Sequence, residues 1–175
     1  MWNNLRADTQ RLKEIKTKSA PWYVLESLLF ESGYQAVVMH RIAHWFKSRR
    51  VPFLGPLFAR WNLFCTGCDI APAAEIGPGF RITHGQGIVI GAWSKIGSNC
   101  HLLQGVTLGA PSGRRITEMP TLGDGVYMAA YSAAIGGIRI GDRTFVGIQA
   151  VITEDVPADS KVTMDAKPAV TTSQR

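Results

Sequence analysis

The apolar residues of this chain follow two different periods, and the period changes near residue 67. Before that point they recur with the spacing of α-helices. The pattern predicts a helix near the N-terminus, a longer stretch that begins at Pro21 and is bent or broken at Gly33, and a third helix from Pro56 to Cys65. Glu26 and Glu31 lie early in the longer stretch and basic residues lie late, an order that suits the helix dipole.

After residue 67 the aliphatic period becomes six, with one slip of two residues and one interruption over residues 109–121. A period of six excludes an α-helix and a simple amphipathic strand, and it is typical of a solenoid in which three six-residue sides form each coil. We therefore predict a mainly β protein: an α-helical segment over 1–66, a parallel β-helix over 67–157 and a C-terminal tail over 158–175. The fourteen predicted inward positions are Ile70, Ile76, Ile82, Ile88, Ile90, Ile96, Leu102, Leu108, Leu122, Met128, Ala134, Ile140, Val146 and Ile152.

Composition and charge exclude several classes of protein. With 46% hydrophobic and 18% charged residues the chain should fold, and its net charge of +6 predicts a general preference for anions. The basic residues are scattered and form no nucleic-acid-binding motif, so we expect no nucleic-acid partner. The polar start and the absence of an apolar run of about 20 residues predict neither a signal peptide nor a membrane span, and hence a cytoplasmic protein.

The cysteines and two of the histidines predict no metal site. An odd count of three cysteines suits a reducing compartment. Cys65 and Cys68 have the spacing of a redox or metal motif, but no second pair or nearby His accompanies them, so two small buried thiols are expected. His40 and His44 lie four residues apart on a predicted helix, and without a third ligand they are expected to pack.

Four stretches of sequence carry a resemblance to a known family. In collinear order they are similar to bacterial serine O-acetyltransferases, which are left-handed β-helix (hexapeptide-repeat) acyltransferases. The N-terminal region also looks like that of small acetyltransferases from exopolysaccharide gene clusters. The resemblance runs from Gly33 to about Pro157, and the stretches that carry it are residues 33–36 with 41–45, 69–74, 84–91 and 103–109.

The resemblance implies a catalytic pair at Asp69 and His84, which match the family's Asp and His in context and in their separation of fifteen residues. Because one coil takes about three hexads, such a separation brings two side chains close together on adjacent rungs. An imidazole can take a proton from an attacking hydroxyl, and a carboxylate behind it fixes its tautomer and stabilises the imidazolium. From the residues alone, a turn histidine with a buried Asp cap is an equal alternative.

The resemblance also implies acetyl-CoA as the co-substrate, bound between two subunits of a homotrimer. Gly109 and Ala110 match the loop whose N–H groups face the thioester, and Ala129 and Ala130 match small residues beside the pantetheine arm. Ser112 and basic residues are candidates for the phosphates by charge and location. Because only about 66 residues precede the first coil, we expect one trimer and not a pair. The expected acetyl-CoA-binding residues are Gly109, Ala110, Ser112, Ala129, Ala130, Ile148 and Lys167.

The positions that hold serine in the family differ in this chain. Thr83 stands where an Asp meets the serine amine, and Glu118-Met119 stands where an Arg-His pair meets the serine carboxylate. A further N-terminal Asp falls near Lys18 or Ser19. We therefore expect a neutral hydroxyl as acceptor, on a saccharide of an exopolysaccharide or its precursor, with L-serine as the alternative. A non-catalytic trimeric scaffold is an alternative of another class.

Two further patterns leave alternatives. His101 follows His84 by seventeen residues, almost one coil. Some left-handed β-helix trimers resemble γ-carbonic anhydrases and bind zinc with three histidines, but a third histidine is absent from the coil region of this chain. A basic cluster at 47–50 precedes an aromatic-rich segment at 51–64. We expect the rings of this segment to cap the first coil, and peripheral contact with the inner face of the cytoplasmic membrane is the alternative. These rings, with one leucine, are Phe53, Leu57, Trp61 and Phe64.

Overall fold

The computed structural model describes residues 1–16 and 21–164. Four helices lie in the N-terminal part of this range. The predicted break near Gly33 falls at Glu31, between the second and third helices. The last helix is closed by Gly67, whose φ of 73° is the left-handed conformation common at helix ends. The helices are α1 (Trp2–Lys16), α2 (Pro21–Phe30), α3 (Ser32–Ser48) and α4 (Leu54–Thr66).

Short strands follow the helices and form three parallel sheets, which we call sheets A, B and C. Successive strands go to successive sheets, so the chain winds as a β-helix of about five coils. The predicted β-helix with a helical N-terminal region is confirmed. Sheet A contains β1 (Asp69–Ile70), β4 (Val89–Ile90), β7 (Thr107–Gly109), β10 (Ala133–Ile135) and β13 (Val151–Ile152). Sheet B contains β2 (Glu75–Ile76), β5 (Lys95–Ile96), β8 (Thr121–Leu122) and β11 (Arg139–Ile140). Sheet C contains β3 (Arg81–Thr83), β6 (His101–Leu103), β9 (Tyr127–Met128), β12 (Phe145–Val146) and β14 (Lys161–Val162).

The core of the β-helix consists of the residues that the hexad pattern selects. All fourteen predicted inward positions are buried, because each strand turns one aliphatic side chain inward and its neighbours outward.

The slip of two residues in the hexad pattern also has a structural counterpart. Asp69 pairs with Val89, twenty residues later, whereas Val89 pairs with Thr107, eighteen residues later. The first coil therefore contains two extra residues, and they lie at the corner between Ile82 and Ile88.

Helix α3 closes the open end of the first coil. Its residues Ala36 and Val37 belong to the same buried cluster as the coil aliphatics. Asn62 of α4 donates a hydrogen bond to the Ala36 carbonyl oxygen over 3.1 Å, so α4 packs on α3 through its polar and small face. The prediction that Phe53, Leu57, Trp61 and Phe64 cap the first coil was wrong. These side chains lie on the side away from α3 and point to solvent. The four are between 53% and 88% exposed.

A buried ion pair joins α1 and α3 to the first coil. The Nε of Arg41 lies 2.9 Å from Oδ2 of Asp8, and both side chains are almost fully buried. The Arg41 guanidinium also donates to the carbonyl oxygens of Ile76 and Gly77, over 2.5 and 2.6 Å. Asp8 accepts a further hydrogen bond from the Phe80 amide. The pair is therefore fully hydrogen-bonded, which is what a buried pair of charges requires.

The cysteines and the helical histidines take no part in a metal cluster within the described residues. All three thiols are free, Cys68 is buried, and the expectation that Cys65 is buried was wrong. His40 packs in the interior as expected, and burial, helped by Arg41 and His44, lowers its pKa to about 3. None of the helices in the described ranges combines the length and the apolar character needed to cross a membrane.

Candidate active site

His84 lies at the corner between β3 and β4, where the first coil is two residues longer. Its φ is 56°, a left-handed conformation that is uncommon for a residue other than glycine. Helix α3 presses directly on this corner, because a Cβ on Gly33 would lie 2.2 Å from the Ile82 carbonyl oxygen. A Cβ on Gly85 would likewise lie 2.9 Å from Gly33. The two glycines thus allow a close approach that fixes the backbone around His84.

Asp69 is the first residue of β1 and faces outward, beside the same corner. The Gly87 amide donates to the Gly67 carbonyl oxygen over 2.9 Å, which holds the corner against the turn that leads into Asp69. The structure therefore brings the His84 corner and the start of β1 together. Among the described residues, neither the Asp69 carboxylate nor the His84 imidazole has a side-chain hydrogen bond or an ion pair. Both residues are exposed, and of the two only His84 lines the cavities beside the corner.

Two adjoining cavities meet at His84 and Ser32. The first, which we call the helix-side cavity, has a volume of about 350 Å³ and lies between α3 and β3. The second, the sheet-side cavity, has a volume of about 320 Å³ and extends over the next coils. The helix-side cavity is lined by Phe30, Glu31, Ser32, Gly33, Arg81, Ile82, Thr83 and His84. The sheet-side cavity is lined by Ser32, His84, Gln86, Gln104 and Tyr131.

Known serine acetyltransferases are similar to this chain, although no family model matches it. The serine acetyltransferase of Helicobacter pylori is 37% identical over 135 residues, which are 77% of this chain and 79% of that protein. The chain belongs to the serine acetyltransferase family. Relatives of the same name from Synechococcus elongatus and Bacillus subtilis are both 39% identical, over 79% and 78% of this chain. The chain spans only 57% and 63% of the lengths of these two relatives.

Solved serine acetyltransferases share the fold. The chain superposes on isoform 3 from Entamoeba histolytica, solved in complex with cysteine, with a TM-score of 0.83 at 28% identity, over 98% of this chain and 60% of that one. It superposes on the Neisseria gonorrhoeae enzyme, solved in complex with serine, with a TM-score of 0.80 at 34% identity, over 94% of this chain and 67% of that one. The fold and the family expected from the sequence are thereby confirmed.

The residues expected to bind acetyl-CoA in this family member fall into two groups. The first group, Ala130 and Ile148, lies at the corners between sheets C and A, as His84 does. The two corners stack on each other, since the amide of Gln149, which follows Ile148, donates to the Ala130 carbonyl oxygen over 3.0 Å. The second group lies at the far end of sheet A, where β7 ends at Gly109 and the loop begins. Ala129 and Ala130 are buried, Ile148 and Ser112 are exposed, and Gly109 and Ala110 are half-buried. Lys167 lies outside the described residues.

Tyr131 is a site residue that sequence reasoning missed. It stands at the corner position that Gly105 holds one coil earlier. The Gly105 amide donates to the Gln86 carbonyl oxygen, and in the next coil the Tyr131 amide donates to the Gln104 carbonyl oxygen in the same way. Its φ of 59° is as unusual as that of His84, and its ring covers Gly105. An alignment of the corner positions of successive coils would have found it, since the two preceding coils have Gly87 and Gly105 at this position and only the third has a large side chain. Gln104 contributes a buried Oε1 without a hydrogen-bond partner in the described part of the chain.

The residues that replace the family's serine ligands have other partners. The Thr83 hydroxyl shares a hydrogen bond with Nε2 of His101 over 2.8 Å. Burial, together with Arg81 and Arg11, lowers the pKa of His101 to about 4, so this imidazole is neutral at neutral pH. Glu118 pairs with Arg115 on the exposed loop, with Nε and Oε1 separated by 2.7 Å. Met119 packs over Gly91, where a Cβ would meet its methyl carbon at 2.5 Å.

Proposed function

We propose that this chain is an acetyl-CoA-dependent O-acetyltransferase of the cytoplasm, with His84 as the general base and Asp69 as its positioning carboxylate. The observation that carries the proposal is the position of His84. In a chain of the serine acetyltransferase family, this histidine sits on a left-handed backbone at the junction of two cavities. The same left-handed conformation recurs at other corners of the β-helix, for example at Asn99 and Arg143, so the support for the proposal is the place of His84 where the two cavities meet.

The chemistry needs one proton acceptor and no covalent enzyme intermediate. The imidazole of His84 takes the proton of the acceptor hydroxyl while the hydroxyl oxygen attacks the thioester carbonyl carbon. The tetrahedral oxyanion is stabilised by backbone N–H groups, for which Gly109 and Ala110 are the candidates. When the carbon–sulfur bond breaks, the CoA sulfur takes the proton from the imidazolium. The products are an O-acetyl ester and CoA.

A homotrimer would complete this site. Within one chain His84 lies at the corner where sheet A begins, whereas Gly109 and Ala110 lie where it ends. Four residues of strand separate the two corners by about 13 Å. The thioester carbonyl must contact both groups, so the proposal places Gly109 and Ala110 of one subunit opposite His84 of the next.

L-Serine is the acceptor that the comparisons support best, since the relatives are named serine acetyltransferases and one neighbour was solved with serine. The saccharide acceptor expected from the sequence has no support among them. A neutral hydroxyl remains a second candidate because of three residues. Thr83 and Met119 carry no charge, and the Glu118 carboxylate, paired with Arg115, has the wrong sign for a carboxylate ligand.

The test is CoA release by the purified protein with acetyl-CoA and a panel of acceptors: L-serine, L-homoserine and a set of mono- and oligosaccharides. The proposal predicts hydroxyl-dependent CoA release, fastest with L-serine. Acetyl-CoA binding without release in the presence of any acceptor would instead support the non-catalytic scaffold.

A further inference from the structure

Tyr131 places a large ring at a corner position where the two preceding coils have glycine. These glycines, Gly87 and Gly105, stack on each other, because a Cβ on Gly87 would lie 3.6 Å from the Gly105 Cα. The Tyr131 ring lies directly over Gly105, where a Cβ would meet its Cε1 atom at 2.6 Å. The ring therefore extends from the third coil toward the first, where His84 lies.

The Tyr131 ring forms one wall of the sheet-side cavity, which has a volume of about 320 Å³ and is also lined by His84. Tyr131 is 61% exposed, so its ring is not part of the core of the β-helix. A ring in this place reduces the space in front of the imidazole. Glycine, as at the same corner position of the two preceding coils, would leave this space open.

The two cavities that meet at His84 differ in the chemistry of their linings. The helix-side cavity is lined by an acidic and a basic residue, Glu31 and Arg81. Besides His84, the sheet-side cavity is lined by hydroxyls and amides, which belong to Ser32, Gln86, Gln104 and Tyr131. An acyl thioester carries no charge and ends in an alkyl group. The sheet-side cavity therefore suits the acyl donor and leaves the helix-side cavity to the acceptor.

The expected path of the donor leads into the same cavity. Ala130 directly precedes Tyr131, and Ile148 lies at the same corner one coil further on. A pantetheine arm that follows this corner passes Tyr131 before it reaches His84. Gln104 adds a buried Oε1 atom that has no hydrogen-bond partner in the described part of the chain. The amide N–H of the arm nearest to the thioester can supply the donor that this oxygen lacks.

We infer that the Tyr131 ring limits the size of the acyl group that reaches His84, so that Tyr131 is a specificity-determining residue for the acyl donor. This inference rests on the proposed function and adds a selectivity to it. An acetyl group ends in a single methyl, and each further methylene has to fit between the ring and the His84 corner. One methylene too many in a pocket changes kcat/KM by about 10- to 200-fold.

The test measures CoA release from acetyl-, propionyl- and butyryl-CoA, with whichever hydroxyl acceptor gives the fastest release. For the wild-type protein, kcat/KM should fall about 10-fold or more with each added methylene. Tyr131→Gly should raise the ratio of kcat/KM for butyryl-CoA to that for acetyl-CoA about 10- to 100-fold. Tyr131→Phe keeps the ring and should therefore keep the wild-type ratio.

Gln149→Gly is the matched control. Gln149 holds the same corner position one coil further on, with the same φ of 59°, and its exposed side chain is not part of the cavity lining. This variant introduces glycine into the same backbone conformation without removing the ring, so it should keep the wild-type ratio. Glycine adopts a φ of 59° more readily than tyrosine does, so Tyr131→Gly is expected to fold.

Three results would overturn the inference. The first is a wild-type protein that uses the three donors equally well, and the second is a Tyr131→Gly protein with the wild-type ratio. The third is an equal loss for all three donors in Tyr131→Gly, because the ring would then contact a part of CoA that the donors share.

Failure of the proposed function gives a different result, namely no CoA release from acetyl-CoA by the wild-type protein with any hydroxyl. Calorimetric dissociation constants of the three acyl-CoAs need no turnover and test the ring in that case too. They should be weakest for butyryl-CoA in the wild-type protein and become more alike in Tyr131→Gly. Constants that are equal in the wild-type protein would overturn the inference.

Discussion

At the scale of single residues, backbone conformation and burial decide what each imidazole of this chain can do. His84 is exposed at a corner with a φ of 56°, beside two cavities. His40 is buried, and within the described residues neither of its ring nitrogens has a hydrogen-bond partner. The first residue is the proposed general base. The second is held neutral, and it makes the stability of the protein depend on pH.

We predict that His40 destabilises the fold as the pH falls. Its pKa is about 3 in the folded protein and near 6.5 in the unfolded chain, so between these values only the unfolded chain binds the proton. The free energy of unfolding is therefore unaffected by His40 above pH 6.5 and falls below it, by about 2 kcal/mol at pH 5. Urea denaturation at pH 7.5 and pH 5 should show a smaller loss for His40→Leu than for wild type. Equal losses would contradict the assignment.

The proposed pair, Asp69 and His84, could be named from the sequence, but the charges around it could not. Asp69 and His84 stand in motifs whose spacing is fixed by the coil. Glu31 was interpreted as a favourable charge near a helix N-terminus, and only the break between α2 and α3 places it in the cavity with Arg81. A residue that contacts a site from a distant element leaves no periodic signal in the sequence.

At the scale of elements, the helices are attached to the β-helix by close contacts and by buried charges. Gly33 lets α3 touch the backbone of β3, and the Asp8–Arg41 pair anchors α1 and α3 to the corner that follows β2. The periods of α1 and α3 do not reveal this pair, since it depends on how the two helices are placed on the coil. The orientation of α4 was not predicted either, because it also depends on how the helix is placed on its neighbours. Its small and polar residues are the buried ones, and of its rings Phe58 stacks on Phe46 of α3 whereas Trp61 and Phe64 point to solvent.

Loss of the buried pair should weaken the attachment of the helices. Asp8→Ala leaves the Arg41 guanidinium buried without a counter-charge, which costs about 3–5 kcal/mol of unfolding free energy. Glu75→Ala, which removes the exposed partner of Lys95, should have little effect and serves as the control. Chemical denaturation at neutral pH measures both. If the two variants lose the same stability, the buried pair is not the anchor described above.

Peripheral membrane contact is the remaining alternative for the exposed rings at α4, and it predicts binding to anionic membranes. The exposed face presents Phe53, Trp61 and Phe64 to solvent, and basic residues at 47–50 and Arg60 lie nearby in the sequence. Rings that enter the interface and cations that attract anionic headgroups are what peripheral binding requires. Flotation with phosphatidylglycerol vesicles at low salt should recover the wild-type protein, and Trp61→Ser combined with Phe64→Ser should stay in the soluble fraction. A wild-type protein that does not float would exclude this role.

At the scale of the whole molecule, the hexad pattern determined most of the fold in advance. Each of its fourteen positions is buried, because a solenoid repeats the same local structure in every coil, so each coil shows the same sequence pattern. The cavities were not predictable in this way, since they lie where the repeat is broken. Two extra residues form the His84 corner, and Tyr131 replaces the glycine of the corner register.

The proposed site between subunits predicts a trimer. Sedimentation velocity should give a species of about three times the chain mass of 19.1 kDa. Co-expression of His84→Ala with Ala110→Pro, which removes the candidate oxyanion N–H, should restore part of the activity that each variant lacks alone, because mixed trimers contain a junction with both residues intact. A monomeric active protein would exclude the site between subunits.

The most direct test of the account is the rate of CoA release with saturating acetyl-CoA and acceptor, measured for the wild-type protein and for His84→Ala. The proposed general base predicts a fall in kcat of about 10²- to 10⁴-fold, with acetyl-CoA binding and the oligomeric state unchanged. A His84→Ala protein that turns over at nearly the wild-type rate would contradict the assignment of His84 as the general base.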